Sequence, residues 1–373
     1  MYQVNRERLI QTFLELVQIN SLSRDERNMA DRLTRELQEL GVEVVEDTAG
    51  EKVGGNAGNL ICTLKGDASK PTILFTCHMD TVAPGLNIKP QLLEDRITSD
   101  GTTILGADDK AGVSGILEMV RTLKEQNLQH GTIVLFLTMG EETGLLGSRH
   151  ADWEKLPKID MGFAFDSNGP IGKVVTQAPA QERIEVTMHG KLAHAGVNPE
   201  AGINAINAAS LAISRMKLGR INERTTANIG NFHGGDATNV VCDKVTIAAE
   251  SRSLVLEELE AQTQHMVDAF QAAAAEYNTT CDVTVQRMYS NLNHDVESEV
   301  VQTAFKAVRS LGFEPSTMAS GGGSDANVLN GMGIPTVNLA IGYEKIHTVS
   351  EFIRLNDLEN GARLLVAMTQ AVL

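Results

Sequence analysis

Apolar residues near the N-terminus recur at helical spacing. Leu9, Phe13, Leu16 and Val17 follow Asn5, which predicts an amphipathic helix with an asparagine cap. Ser23 and Glu26 have the spacing of a capping box for a second helix through Met29, Leu33, Leu37 and Leu40, ending at Gly41. Short strands then alternate with helices. Strands are predicted at 42–45, 60–64, 72–77, 132–138 and 162–165, with a helix over 110–124. Ile73-Leu74-Phe75 and Ile133-Val134-Leu135-Phe136-Leu137 are apolar throughout, the pattern of central strands covered on both faces. The fold class is therefore α/β with a mainly parallel sheet.

The pattern changes near Thr176. Residues 183–188 alternate polar and apolar, as a half-exposed antiparallel strand does. A helix over 201–216, strands at 227–232 and 240–250, a helix over 257–277 and a strand at 282–288 complete a β-α-β-β-α-β order. That is the order of a ferredoxin-like α+β unit. Helix, strand and helix resume at 298–311, 336–340 and 355–373. The expected organisation is one α/β domain from residues 1–177 and 292–373, with a smaller domain inserted at 178–291.

Composition narrows the function classes. With 32 basic and 48 acidic residues the formal charge is −16, which disfavours nucleic acid and anionic membrane as partners. No apolar run reaches the ~18 residues of a membrane helix, and the N-terminus has no signal-peptide core. Cys62, Cys77, Cys242 and Cys281 form no Cys-x-x-Cys pair. A cytoplasmic globular protein is expected.

Candidate chemistry sits at strand ends. The strand at 72–77 runs into His78-Met79-Asp80, that at 132–138 into Gly140-Glu141-Glu142, and that at 162–165 into Asp166. Gly106-Ala107-Asp108-Asp109-Lys110-Ala111-Gly112 opens a helix. In open α/β sheets ligands bind beyond the carboxyl ends of strands, so these clusters are expected to converge. Each has an ordinary reading alone: a structural histidine, a solvated pair of glutamates, an acidic first helical turn. Together they would repel one another unless a cation were present.

With His347, these pieces stand in the order of a co-catalytic zinc peptidase family that the whole chain resembles. That family includes peptidase T, carboxypeptidase G, acetylornithine deacetylase and succinyl-diaminopimelate desuccinylase. The Asp-Asp-Lys-Ala-Gly form is most similar to the peptidase T branch. The resemblance implies two Zn²⁺ per chain, with Co²⁺ or Mn²⁺ as substitutes. His78 and Asp166 would hold one ion, His347 and Glu142 the other, and Asp108 would bridge them. It implies that Asp80 orients His78, that Glu141 is the general base, and that His194 in the inserted domain stabilises the oxyanion. Asn239 and Arg252 resemble lid residues that bind the substrate's polar end, Arg252 having an ordinary ion-pair reading as well. Gly322, Gly323 and Ser324 stand in a glycine-rich run that reads either as a flexible loop or as a nest of backbone N–H groups for a carboxylate. His189 is read as structural. The chain departs from peptidase T in having Gly321 where that enzyme has arginine.

The implied function is release of the N-terminal residue of short peptides, tripeptides above all, by a lid-closing homodimer joined through the inserted domain. The alternatives are a carboxypeptidase, a dipeptidase or an N-acyl-amino-acid deacylase using the same machinery. A non-enzymatic binder would have no need of Glu141, and a Mg²⁺ or Ca²⁺ site would not use two histidines.

Overall fold

A computed structural model describes residues 3–373. The chain divides into two compact units. One combines the stretch up to Gln177 with Asn293–Ser320 and Ser324–Leu373; the other comprises Ala178–Leu292 and the short segment Gly321–Gly323.

The first unit is built on a nine-stranded sheet. Its centre is parallel: Ile133–Thr138 lies beside Ile73–His78, which lies beside Met161–Ser167, which lies beside Thr336–Ala340. Leu60–Leu64 and Glu43–Glu46 add antiparallel strands at one edge. The continuous apolar runs are explained by burial from both sides. Every residue of Ile73–His78 and Ile133–Thr138 is buried. Ile73, Phe75 and Cys77 join one hydrophobic cluster with helices Arg6–Val17, Ala107–Glu125 and Leu355–Ala371, while Leu74, Val134 and Phe136 face a second cluster with Ala151, Ile159 and Leu329. Because the central strands are parallel, their carboxyl ends share one edge, and His78 pairs in register with Thr138 there.

A small four-stranded sheet, Tyr343–Glu344, Phe352–Arg354, Arg96–Thr98 and Gln91–Leu92, belongs to the same unit. Its strands are only two or three residues long, too short to carry a readable period. It frames the loop that carries His347.

Asn5 caps the first helix, accepting the Arg8 N–H at 3.1 Å. The capping box expected at Ser23 and Glu26 does not form. Helix Arg27–Glu39 has no side-chain bond at its cap, because both residues are engaged by tertiary partners instead.

The second unit is a five-stranded antiparallel sheet in the order Gly219–Arg220, Thr225–Gly234, Lys244–Ser253, Ala180–His189, Cys281–Tyr289. Helices Ala205–Ser214 and Leu256–Glu276 cover one face, burying Ile184, Val186, Met188, Val245 and Ile247. No helix among the described residues is long and apolar enough to cross a membrane.

Candidate metal centre

The strand ends bring His78, Asp108, Glu142, Asp166 and His347 together. His78 Nε2 lies 3.1 Å from Asp108 Oδ1 and 3.7 Å from Asp166 Oδ1. His347 Nε2 lies 3.0 Å from Glu142 Oε1 and 3.5 Å from Asp108 Oδ2. Asp108 thus presents one carboxylate oxygen to each histidine. Its backbone leaves the helical region (φ −80°, ψ 102°) inside helix Ala107–Glu125, which is how a residue in a first helical turn turns its side chain toward the strand ends. His347 sits at φ +59°, in the left-handed region that costs a non-glycine residue free energy.

Asp109 has a different task. Its Oδ2 accepts the His78 backbone N–H at 3.2 Å, and its Oδ1 is buried without a partner. The space around it is full. A Cβ on Gly112 would come within 2.5 Å of Cys77 Sγ and 2.6 Å of Asp109 Oδ1, so only glycine fits there.

Burial makes this cluster electrostatically demanding. Desolvation, then the neighbouring carboxylates, pushes Asp166 well above the usual carboxylate range. Burial does the same to Asp109, and to Glu141 with Asp166's charge next. Asp108 moves the other way: burial opposes its ionisation, but hydrogen bonds from His347 and His78 hold it below its ordinary value. His347 is pushed up to about 10, first by its bond to Asp108 and then by that to Glu142. Lys110, 1% exposed and lowered by burial, donates to the Asp80 carbonyl at 3.2 Å. Carboxylates driven toward protonation beside two imidazoles fit a bound dication, which would relieve the repulsion. Two groups of ligand atoms lie close enough to share an ion, His78–Asp108–Glu142 and His78–Asp109–Asp166.

Supporting residues hold these groups in place. His78 Nδ1 is 3.1 Å from the Asp80 carbonyl and 3.3 Å from Asp80 Oδ1. Tyr343 donates its hydroxyl to Asp166 Oδ1 at 3.1 Å, and Asn338 bonds both the N–H and the carbonyl of Asp166. Glu351, 1% exposed, accepts the N–H groups of Leu105, Gly106 and Asp108 at 2.8, 2.8 and 3.0 Å. Sequence reasoning missed Tyr343, Asn338 and Glu351. Only their closeness in the chain to His347, for Tyr343 and Glu351, was a signal.

The remaining candidates fall mostly in the second unit. His194 is exposed, and its Nδ1 accepts the Gly196 N–H at 3.1 Å, so the neutral ring carries its proton on Nε2. Asn239 is next to it in space through a bond from the Ala195 N–H to the Asn239 carbonyl at 2.9 Å. Arg252 makes a forked pair with Glu250, at 2.9 and 3.1 Å. Gly322 lies beside the Arg252 guanidinium, and Gly323 lies against Tyr289, where a Cβ would come within 2.3 Å of the ring. His189 pairs with Asp282 at 2.7 Å. Ser324 belongs to the first unit. Its N–H donates to Asn327 Oδ1 at 3.0 Å, one arm of a capping box with Asn327 on helix Asp325–Gly331, and its hydroxyl oxygen separately accepts from Asn338 at 3.2 Å.

Comparison with known proteins gives a consistent result. The profile of peptidase family M20/M25/M40 matches residues 74–371. The crystal structure of aminopeptidase PepT from Bacillus cereus ATCC 10987 is 49% identical, with a TM-score of 0.90 and 99% of each chain covered. A tripeptidase from Staphylococcus aureus Mu50 is 43% identical, with a TM-score of 0.93 and the same 99% coverage of both chains. The uncharacterized protein YqjE of Bacillus subtilis (strain 168) is 49% identical over 98% of this chain and 99% of its own.

Proposed function

The chain belongs to peptidase family M20/M25/M40, and from that premise we propose that it is a di-metal aminopeptidase releasing the N-terminal residue of short peptides, tripeptides first. The observation that carries this reading is Asp108 set between two histidines, one oxygen toward each. His78 and Asp166 would hold one ion, His347 and Glu142 the other, with Asp108 shared. Imidazole and carboxylate donors suit Zn²⁺, with Co²⁺ or Mn²⁺ as substitutes. When bound, the ions supply Lewis acidity toward a peptide carbonyl and make water acidic enough to ionise near neutral pH.

The chain's own groups do the rest. Glu141 takes the proton from the attacking water and returns it to the departing amine. Its backbone is held by Asp80, whose Oδ1 accepts the Glu141 N–H at 3.0 Å. Asp80 also fixes the ring of His78, so one carboxylate sets both a ligand and the base. His194, with its proton on Nε2, donates to the oxygen that gains charge as the carbonyl is attacked. Arg252, Asn239 and the Gly322–Gly323 backbone bind the substrate's carboxylate end. The inserted unit acts as lid and dimer contact, and the enzyme works in the cytoplasm on short peptides. The tripeptidase and aminopeptidase names of the two similar structures support this substrate class.

The test compares kcat/KM for a free tripeptide, its C-terminal amide and the matching N-acetyl amino acid after metal loading. Preference for the tripeptide is expected. Strict preference for the N-acetyl amino acid would replace the aminopeptidase with a deacylase.

A further inference from the structure

The loop that carries Glu141 and Glu142 is pinned at three successive backbone amides, each ending on a carboxylate. The Glu141 N–H reaches Asp80 Oδ1 at 3.0 Å, and the Glu142 N–H reaches Asp80 Oδ2 at 3.2 Å. The Gly140 N–H reaches Glu26 Oε1 at 2.9 Å, across 114 residues of chain. Gly140 sits at φ +58°, so its orientation decides the direction in which the next two side chains leave.

Glu26 is 0% exposed, and the same oxygen also accepts the Arg24 N–H at 2.8 Å. Its other oxygen is buried without a partner. The helix that begins at Arg27 takes no bond from this side chain. A buried carboxyl with one orphaned oxygen costs stability, so the needs of that helix do not account for it. Ser23, from the same turn, donates its hydroxyl to Asp80 Oδ2 at 2.6 Å, which links the two anchoring carboxylates. Burial, then the charge of Asp80, raises the Glu26 pKa to about 7.

We infer that Glu26 is a positioning residue for the proposed base: by holding the Gly140 amide it fixes where Glu141 and Glu142 point. The role requires an acceptor oxygen at one place rather than a charge. It rests on the reading of Glu141 as base and Glu142 as ligand, and its consequence for Glu142 is measurable without turnover.

The experiment uses three variants of the full chain. Glu26→Gln keeps the acceptor oxygen and removes the charge. Glu26→Asp keeps the charge but withdraws the oxygen, and Glu26→Leu removes both. In Glu26→Asp and Glu26→Leu, kcat for a tripeptide should fall about 10- to 100-fold with KM changed little, the scale of lost outer-layer support. Cobalt(II) affinity, read from its visible spectrum under chelator competition, should fall about 10-fold in the same two. Glu26→Gln should stay within about 3-fold of the parent in both readouts, since its geometry is conserved. If Glu26→Asp and Glu26→Gln are equally impaired, or Glu26→Asp is unimpaired, the positioning role is overturned. Glu26→Asp decides the matter where Glu26→Leu fails to fold. A parent chain that hydrolyses no peptide would refute the proposed function alone, and the cobalt affinities would still decide the role of Glu26.

Discussion

His78 and Asp108 are 1% and 6% exposed, whereas His194 and Asn239 lie in the open. In the first region one aspartate holds a histidine and two loop amides, and a glutamate far along the chain pins three more. In the second, a single bond from Gly196 sets the tautomer of His194. The contrast separates two tasks. Groups that share cations must be placed before substrate arrives, because misplacement of about 1 Å can cost 10²-fold in rate. On the proposed roles, His194 and Asn239 meet substrate directly and are left accessible to it.

The comparison breaks first at Asp108. Asp108→Ala should lose both ions by elemental analysis and leave no measurable peptidase activity. Chelation should inactivate the parent, with recovery on adding zinc. A chelated enzyme with full activity would remove the metal centre from the account. Next, Glu141→Gln should retain both ions and lower kcat by at least about 10²-fold, the usual scale for a general base. Glu142→Gln should instead lose one ion, so the two neighbouring glutamates separate by metal content.

His194→Ala should lower kcat by about 10²-fold at constant metal content, the scale for one oxyanion donor. If subunits share the site, mixing it with Glu141→Gln protein should restore some activity after subunit exchange. The smallest effects concern Arg252. Arg252→Ala should raise KM by about 10-fold with kcat little changed, the sign of lost uniform binding. Glu250→Gln frees the guanidinium from its fork, and should raise the preference for a free carboxylate over an amide by about 3-fold, within the range of one charge-assisted bond. A preference unchanged in both variants would remove Arg252 from substrate recognition.

Strands such as Ile73–His78 were legible because burial on both faces writes an unbroken apolar run, and their ends then located His78, Glu142 and Asp166. Glu351 and Tyr343 were not, since their partners lie 177 to 246 residues away and leave no local period. Ser23 and Glu26 show the converse. Their spacing is that of a helix cap, yet Asp80 and Gly140 engage them, and local pattern gave way to tertiary contact. The helix beginning at Asp325 was legible after the glycine-rich loop, whereas the bond from the Ser324 N–H to Asn327 that caps it was not.

The first unit is encoded at both ends of the message, with the second unit between them. At about 5–20 residues per second, many seconds separate the emergence of His78 from that of His347 and Glu351 during synthesis. A fragment released before Glu351 has the strands ending in His78 and Asp166 but lacks the carboxylate that sets Asp108. Such a product of premature termination or proteolytic trimming lacks the acceptor for the Leu105, Gly106 and Asp108 amides. On the proposed ligand set, metal uptake therefore requires the chain to be made at least through Glu351.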